Sequence, residues 1–280
     1  MKSRIKISIV IIASLLLVNL SNVYAQKSVS LKYNLNEGDR YNFVTNVDLD
    51  MSFEAMGTTM TMESVMIIEM TSVVNMVEND EISQDLIFDR IAMNQKVMGM
   101  EINYDSDDSS TYNSGMGAKM GAEMNKIIGE SIVMIMDNRG NIKNLDVSNV
   151  TSTDITNNIT SGNTFVVYPE GKIKIGDSWE TDIEPLEDSE MKMHVKYTLL
   201  KATRKQSTIG IEGVVLANVV EGQEINLEGT TEGKMIVDNK TGMLISSVID
   251  LEMVMDIEQG GVKFPASMMS TSTTNVIEVE

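Results

Sequence analysis

The chain contains no cysteine. That excludes disulfides, a lipidated cysteine behind a leader, and every thiolate nucleophile or metal ligand. A single histidine, His194, removes the common zinc sites, which need several His or Cys ligands. Three prolines leave little to interrupt long regular elements. One tryptophan, with aromatics at 5% overall, gives little for a sugar-stacking platform. Basic residues are scarce: 22 Lys and Arg stand against 41 Asp and Glu, for a net charge of −19. A surface of that sign repels nucleic acid and anionic membranes, and leaves a solvated exterior or a cationic partner. There is no Gly-x-Ser-x-Gly elbow, phosphate loop or dinucleotide fingerprint. The chain is therefore expected to be non-catalytic, with no cofactor and no metal.

Long apolar runs are missing too, with one exception. Residues 7–18 are apolar and follow Lys2, Arg4 and Lys6; Val23-Tyr24-Ala25 closes the segment with small or modest residues. This is the three-part secretory leader, cleaved after Ala25. As a helix the run spans about 18 Å, short of a ~30 Å hydrocarbon core, so it does not read as an anchor. Residues 26–280 are expected to be exported to the periplasm or beyond, soluble, and without a transmembrane anchor.

What is present is period two. Tyr41, Phe43, Val47, Leu49, Met51 and Phe53 alternate with Asn42, Asn46, Asp48, Asp50 and Ser52. One face is apolar and the other polar, the pattern of a half-buried strand over 41–53. Further strands are expected at 58–77, 82–94, 97–104, 131–136, 142–145, 191–202, 208–219, 224–237, 243–257 and 268–279. Turn formers separate them at Asn79-Asp80, Asp137-Asn138-Arg139-Gly140, Glu221-Gly222, Asp238 to Gly242 and Gly260-Gly261. Short turns between long strands imply antiparallel hairpins. One segment has helical spacing: Met116, Met120, Met124 and Ile127-Ile128 predict an amphipathic helix over 115–128. The polar stretch 148–163 reads as a linker. The expected fold is mainly β: a long, curved, half-barrel-like antiparallel sheet with one helix packed on it. It would comprise a first unit at 26–147 and a second at 164–280.

Gly-Asp-x-aromatic occurs twice ahead of a strand, as Gly38 to Tyr41 and as Gly176 to Trp179. Gly99 to Asp105 and Gly233 to Asp238 share a second pattern at nearly the same offset. Together they suggest a duplicated β unit. The opening stretch 33–43, Tyr104-Asp105-Ser106, the helix before Gly129, and Pro169 through Lys174-Ile175-Gly176-Asp177-Ser178-Trp179 resemble a family of exported bacterial proteins. That family is known as a domain of unknown function, so the resemblance implies no functional residues. More loosely, long curved strands enclosing a helix resemble the periplasmic lipoprotein carriers and related lipid-binding half-barrels, an analogy of fold only.

Methionine, at 24 residues, is the type in excess. Met56, Met60, Met62, Met66, Met70 and Met76 all occupy even positions of the second strand and so share a face. Three readings stay open: a core filled by flexible thioethers, an adaptable face for an apolar ligand or partner segment, or a soft-metal site. The second selects Met60, Met62, Met66 and Met70, facing Met120 and Met124 on the helix, for a small molecule, lipid or partner peptide. The alternatives are a structural protein of the cell envelope with no small-molecule ligand, and an unidentified hydrolase. Copper(I) is not expected to bind tightly, because no methionine pair has His or Cys on its face. In Met191-Lys192-Met193-His194 the histidine points the opposite way. Asp105 to Ser110 suggests a calcium loop but lacks glycine and glutamate where an EF-hand needs them, at Ser110 and Met116.

Overall fold

The structure is a computed structural model describing residues 28–279 apart from 56–57, 114, 149–164, 184–191, 221–222 and 260–261. The leader expected at 1–25, nearly all of the linker expected at 148–163, and the turns expected at Glu221-Gly222 and Gly260-Gly261 lie outside the described residues. Twelve strands form one antiparallel sheet. They are β1 (Arg40–Ala55), β2 (Thr58–Glu78), β3 (Glu81–Val97), β4 (Met100–Asp105), β5 (Ser131–Asp137), β6 (Ile142–Asp146), β7 (Ser178–Ile183), β8 (Lys192–Ala202), β9 (Gln206–Val220), β10 (Gln223–Asp238), β11 (Leu244–Gln259) and β12 (Val262–Val279). The order across the sheet is β6-β5-β3-β2-β1-β12-β11-β10-β9-β8-β7, with β4 beside the far half of β3. β6 and β7 are the edges, so the sheet is open. The two halves meet where β1 pairs with β12, from Arg40 opposite Val279 to Phe53 opposite Ala266.

Local chemistry explains the hairpins. Asn79 and Asp80 have φ of 51° and 64°, which gives the two-residue turn that suits the twist of β2 and β3. Met98 and Gly99, at 52° and 80°, do the same between β3 and β4. The alternation read in β1 is real: Tyr41 and Phe43 are buried while Asp48 and Asp50 are exposed. In β3 the buried parity changes, from Ile82, Leu86 and Phe88 to Ile91, because a bulge beside Met70 accommodates Asp89 as an extra residue. A strict period-two reading loses the face there.

One face of the sheet carries the core, and one end of that face is plugged. Two arms, residues 28–39 and 165–177, cross it. They bury Leu31, Tyr33, Leu35, Phe165, Val166, Tyr168 and Ile173 against Phe43, Tyr197, Met235 and their neighbours. Tyr33 NH donates to Asn138 O and Asn34 NH to Thr241 O, while Tyr168 NH donates to Arg139 O. The first arm is thus stitched to the turns after β5 and after β10. Gly140 and Gly242 allow this approach: both have positive φ, and a side chain at either would collide with the arm backbone at Val166 or Lys32. Neither arm alternates long enough to be read as core from sequence.

The two Gly-Asp turns match bond for bond. Gly38 NH donates to Val74 O, and Val74 NH donates to Asp39 O; Gly176 and Asp177 do the same with Leu199. Asp39 Oδ2 accepts from Asn36 NH at 2.7 Å, and Asp177 Oδ2 accepts from Lys174 NH at 2.8 Å. Tyr41 and Trp179 then take the second positions of β1 and β7. The other expected correspondence, Gly99–Asp105 with Gly233–Asp238, is not matched this way, for β4 pairs only with β3 whereas Gly233 lies within β10. The turn at Asp238 instead resembles that at Asp137. In each, the aspartate Oδ1 accepts two backbone NH groups and a following glycine NH returns to its carbonyl.

The helix α1 (Gly115–Met124) is shorter than the 115–128 expected. It stops because Ile127 turns into the core and Gly129, with φ of 81°, donates its NH to Phe88 O. Asn125 is held by the Tyr104 hydroxyl at 3.0 Å. The glycines that weaken the helical signal have a packing role. A Cβ at Gly121 would strike the Tyr112 ring, and one at Gly117 would strike the Thr111 carbonyl.

Candidate functional site

The arms cover only part of the apolar face, and beyond them burial falls along β1, β2 and β11, whereas Leu227 of β10 and Ala217 of β9, in the outermost row beside Met255, stay buried. On β2, Val74, Met70 and Ile68 are at most 4% exposed, whereas Met66, Met62 and Met60 are half-buried. The same gradient runs along β1 from Phe43 to Met51 and Phe53, and along β11 from Ile249 to Met253 and Met255. The four β2 methionines expected to share a face do share it, opposite Phe53, Met51, Val47 and Phe43 of β1.

The register adds residues that no single strand reveals. Met62 lies opposite Met51, Met51 opposite Met268, and Met268 opposite Met253, so one row crosses four neighbouring strands. The next row toward the strand ends is Met60, Phe53, Ala266 and Met255. Alternation along β1 places Met51 on the apolar face, and the pairing of β1 with β12, from opposite ends of the chain, is what joins it to Met268 and Met253. Gln95 Nε2 donates to Met62 Sδ at 2.8 Å at the β3 side of this row. Met120 and Met124 are half-buried and pack against the same core, on a helix whose main strand neighbour is β4. An open groove of about 420 Å³ at the far ends of the strands belongs to the opposite face of the sheet: Ser52, Glu54, Thr59, Val254, Asp256 and Ser267, which line it, alternate with the inward Phe53, Met255 and Ala266.

The other candidates resolve into structure. Asp105 meets Arg90 through two bonds of 3.0 and 2.8 Å, and Arg90 also donates to Glu69 at 2.8 Å. The guanidinium holds the Asp105 carboxyl below the usual carboxylate range. Asp108 accepts from Ser110 NH and Oγ. The acidic loop thus spends its first carboxylate on an arginine and another on its own turn. His194 is exposed on the outer face, with Nδ1 2.8 Å from Asp182 Oδ1, and this contact raises its pKa. Met193 points the other way and is buried; Met191 lies outside the described residues. The tyrosines of the plugged end, Tyr33 and Tyr168, have pKa values pushed up by burial, so they stay neutral hydrogen-bonding groups. Among the described residues no three His, Asp or Glu side chains are grouped to hold a metal ion. No described helix is long and apolar enough to cross a membrane, which says nothing of crossing by strands.

Fold and site together define a β-rich protein with a large open antiparallel sheet, one of whose faces is apolar, plugged at one end and methionine-rich at the other. The resemblance to an uncharacterised family holds: residues 156–244 match a family of unknown function (DUF6263), a stretch that takes in the second arm and β7 to β10. No curated protein matches the chain. A lipovitellin structure, described as showing lipid–protein interactions, is similar with a TM-score of 0.50 at 8% identity, over 88% of this chain and 26% of that one. The chain spans about a quarter of that protein's length, and at this identity the likeness concerns the fold alone. An outer-membrane channel of Pseudomonas putida F1 (9% identity, 88% of this chain and 97% of that one, TM-score 0.26) superposes poorly. So does a DUF1329 family protein of Desulfovibrio piger ATCC 29098 (11% identity, 86% and 85%, TM-score 0.15). Neither bears on the argument.

Proposed function

We propose that the chain is an exported, non-catalytic binding protein that holds an apolar ligand, such as an acyl chain, against the methionine-rich end of its sheet face. One observation carries this reading: on β1, β2 and β11 the apolar face continues beyond the two arms, and its side chains there are half-buried where their counterparts under the arms are sealed. A face built only as a core would end where its cover ends. Methionine suits such a surface because its unbranched thioether re-packs around ligands of different shape. The similarity of fold to lipovitellin, a protein whose structure is described by its lipid interactions, supports the reading as analogy. The leader at 1–25 supports export, and the matching Gly-Asp turns support an origin of the two halves by duplication.

The test is a titration of purified protein with a long-chain fluorescent fatty acid, with Met66→Asp and Asp48→Ala compared by circular dichroism beforehand. Saturable micromolar binding, unchanged in Asp48→Ala and weakened by a polar substitution such as Met62→Gln, is the expected result. Absence of saturable binding by the folded protein would leave the structural reading in place of the binding one.

A further inference from the structure

The row formed by Met62, Met51, Met268 and Met253 has a chemical capacity distinct from its apolarity. These four residues sit directly opposite one another on β2, β1, β12 and β11. Directly opposed residues of an antiparallel pair have Cβ atoms roughly 4.5–5.5 Å apart. Each methionine has three rotatable side-chain bonds, two of which place its sulfur, so the sulfurs of Met62 and Met268 can turn toward that of Met51 between them; Met253, a strand further on, is too far to share that point. Met60 and Met255 lie one row further out, at diagonal positions still within reach of long side chains.

We infer that Met51, with Met62 and Met268 on either side of it, is a binding site for a soft monovalent d10 cation, copper(I) or silver(I). Thioethers are soft, neutral donors, and soft donors select copper(I) over zinc, calcium or magnesium. The ligands need not lose a proton, so the site requires no basic group beside it. A single positive charge held by neutral sulfurs is also the least costly metal charge to place at a half-buried position. The Gln95 Nε2 contact to Met62 Sδ orients one of these three sulfurs, as polar neighbours orient ligands in metal sites. The expectation against copper rested on pairs along a single strand, none with His or Cys on its face. The register sets Met62 and Met268 on either side of Met51, three donors where β1 at this point supplies one. His194, on the outer face and engaged with Asp182, takes no part. Nothing in the inference depends on the apolar-ligand reading.

Purified protein is titrated anaerobically with copper(I) against a chromophoric chelator, and separately with silver(I) by calorimetry. The expected result is about one equivalent bound with submicromolar affinity and sulfur-only scattering in the X-ray absorption spectrum. The double variant Met51→Leu/Met268→Leu conserves volume and should keep the melting temperature, yet lose about tenfold or more in affinity. His194→Ala should bind as the parent does. Three results would overturn the inference: no binding below micromolar concentrations, unchanged affinity in the folded double variant, or loss of binding in His194→Ala. The fatty-acid titration uses a different probe, so either proposal can fail without the other.

Discussion

At the residue scale, the clearest case is Arg90 of β3, which joins acidic groups from the strands on either side of it. It donates to Glu69 on β2 and to Asp105 at the end of β4, and the three side chains are each less than a third exposed. Sequence places Asp105 in an acidic loop and offers calcium as its partner; the partner is an arginine fifteen residues earlier, brought alongside by the β3–β4 hairpin. Removing Arg90 leaves two partly buried carboxylates without their donor. Arg90→Ala should cost about 2 kcal/mol near neutral pH, measured by urea unfolding. The sign with pH follows from Asp105, whose pKa is lowered in the folded state. Its stabilisation is fully present above the unfolded value of roughly 4 and is lost as pH falls through the lower folded value. The difference between parent and variant should therefore shrink in acid, and a difference that grows would contradict the ion pair.

At the element scale, β2 is the informative strand because one face of it passes from sealed to half-open. Met70 lies beneath the covered half at 3% exposure, and Met62 lies beyond it. The same substitution should thus cost different amounts. Met70→Ala should lose about 2–5 kcal/mol through transfer and cavity terms, whereas Met62→Ala should lose under about 1.5 kcal/mol because solvent or neighbouring side chains can fill the space. Equal costs in denaturant unfolding would mean that the far half is as well covered as the near one. Sequence alternation located this face on β1 and β2. It could not grade the face, since the arms that seal one end come from residues 28–39 and 165–177, and no local pattern announces where a segment without regular structure will lie.

At the scale of the whole molecule, the acidic excess becomes geometry. Glu232 on β10 lies directly between Glu212 on β9 and Asp250 on β11, and Asp50 lies opposite Glu63. Like charges directly opposite one another destabilise a sheet, and salt screens them. Raising sodium chloride from about 0.01 M to about 0.5 M should raise the melting temperature by a few degrees, and Glu232→Lys should raise it at low salt. A melting temperature that falls with salt would show that attractive ion pairs, such as Arg90 with its carboxylates, outweigh this repulsion.

The class of fold is legible in the amino acids alone: period-two alternation, turn-forming breaks and scarce proline admit little but long antiparallel strands, because strand faces and hairpin turns are set by neighbours in the chain. They also mark the β2 methionines as one face, and the two Gly-Asp turns as a pair. That β1 lies beside β12, which gathers methionines from residues 51, 62, 253 and 268 into one row, emerges in the folded molecule. So does the cover that the arms lay over one end of the face, leaving the other half-buried. Both depend on contacts between segments more than a hundred residues apart, and the sequence periodicity of each segment carries no record of which distant partner it meets.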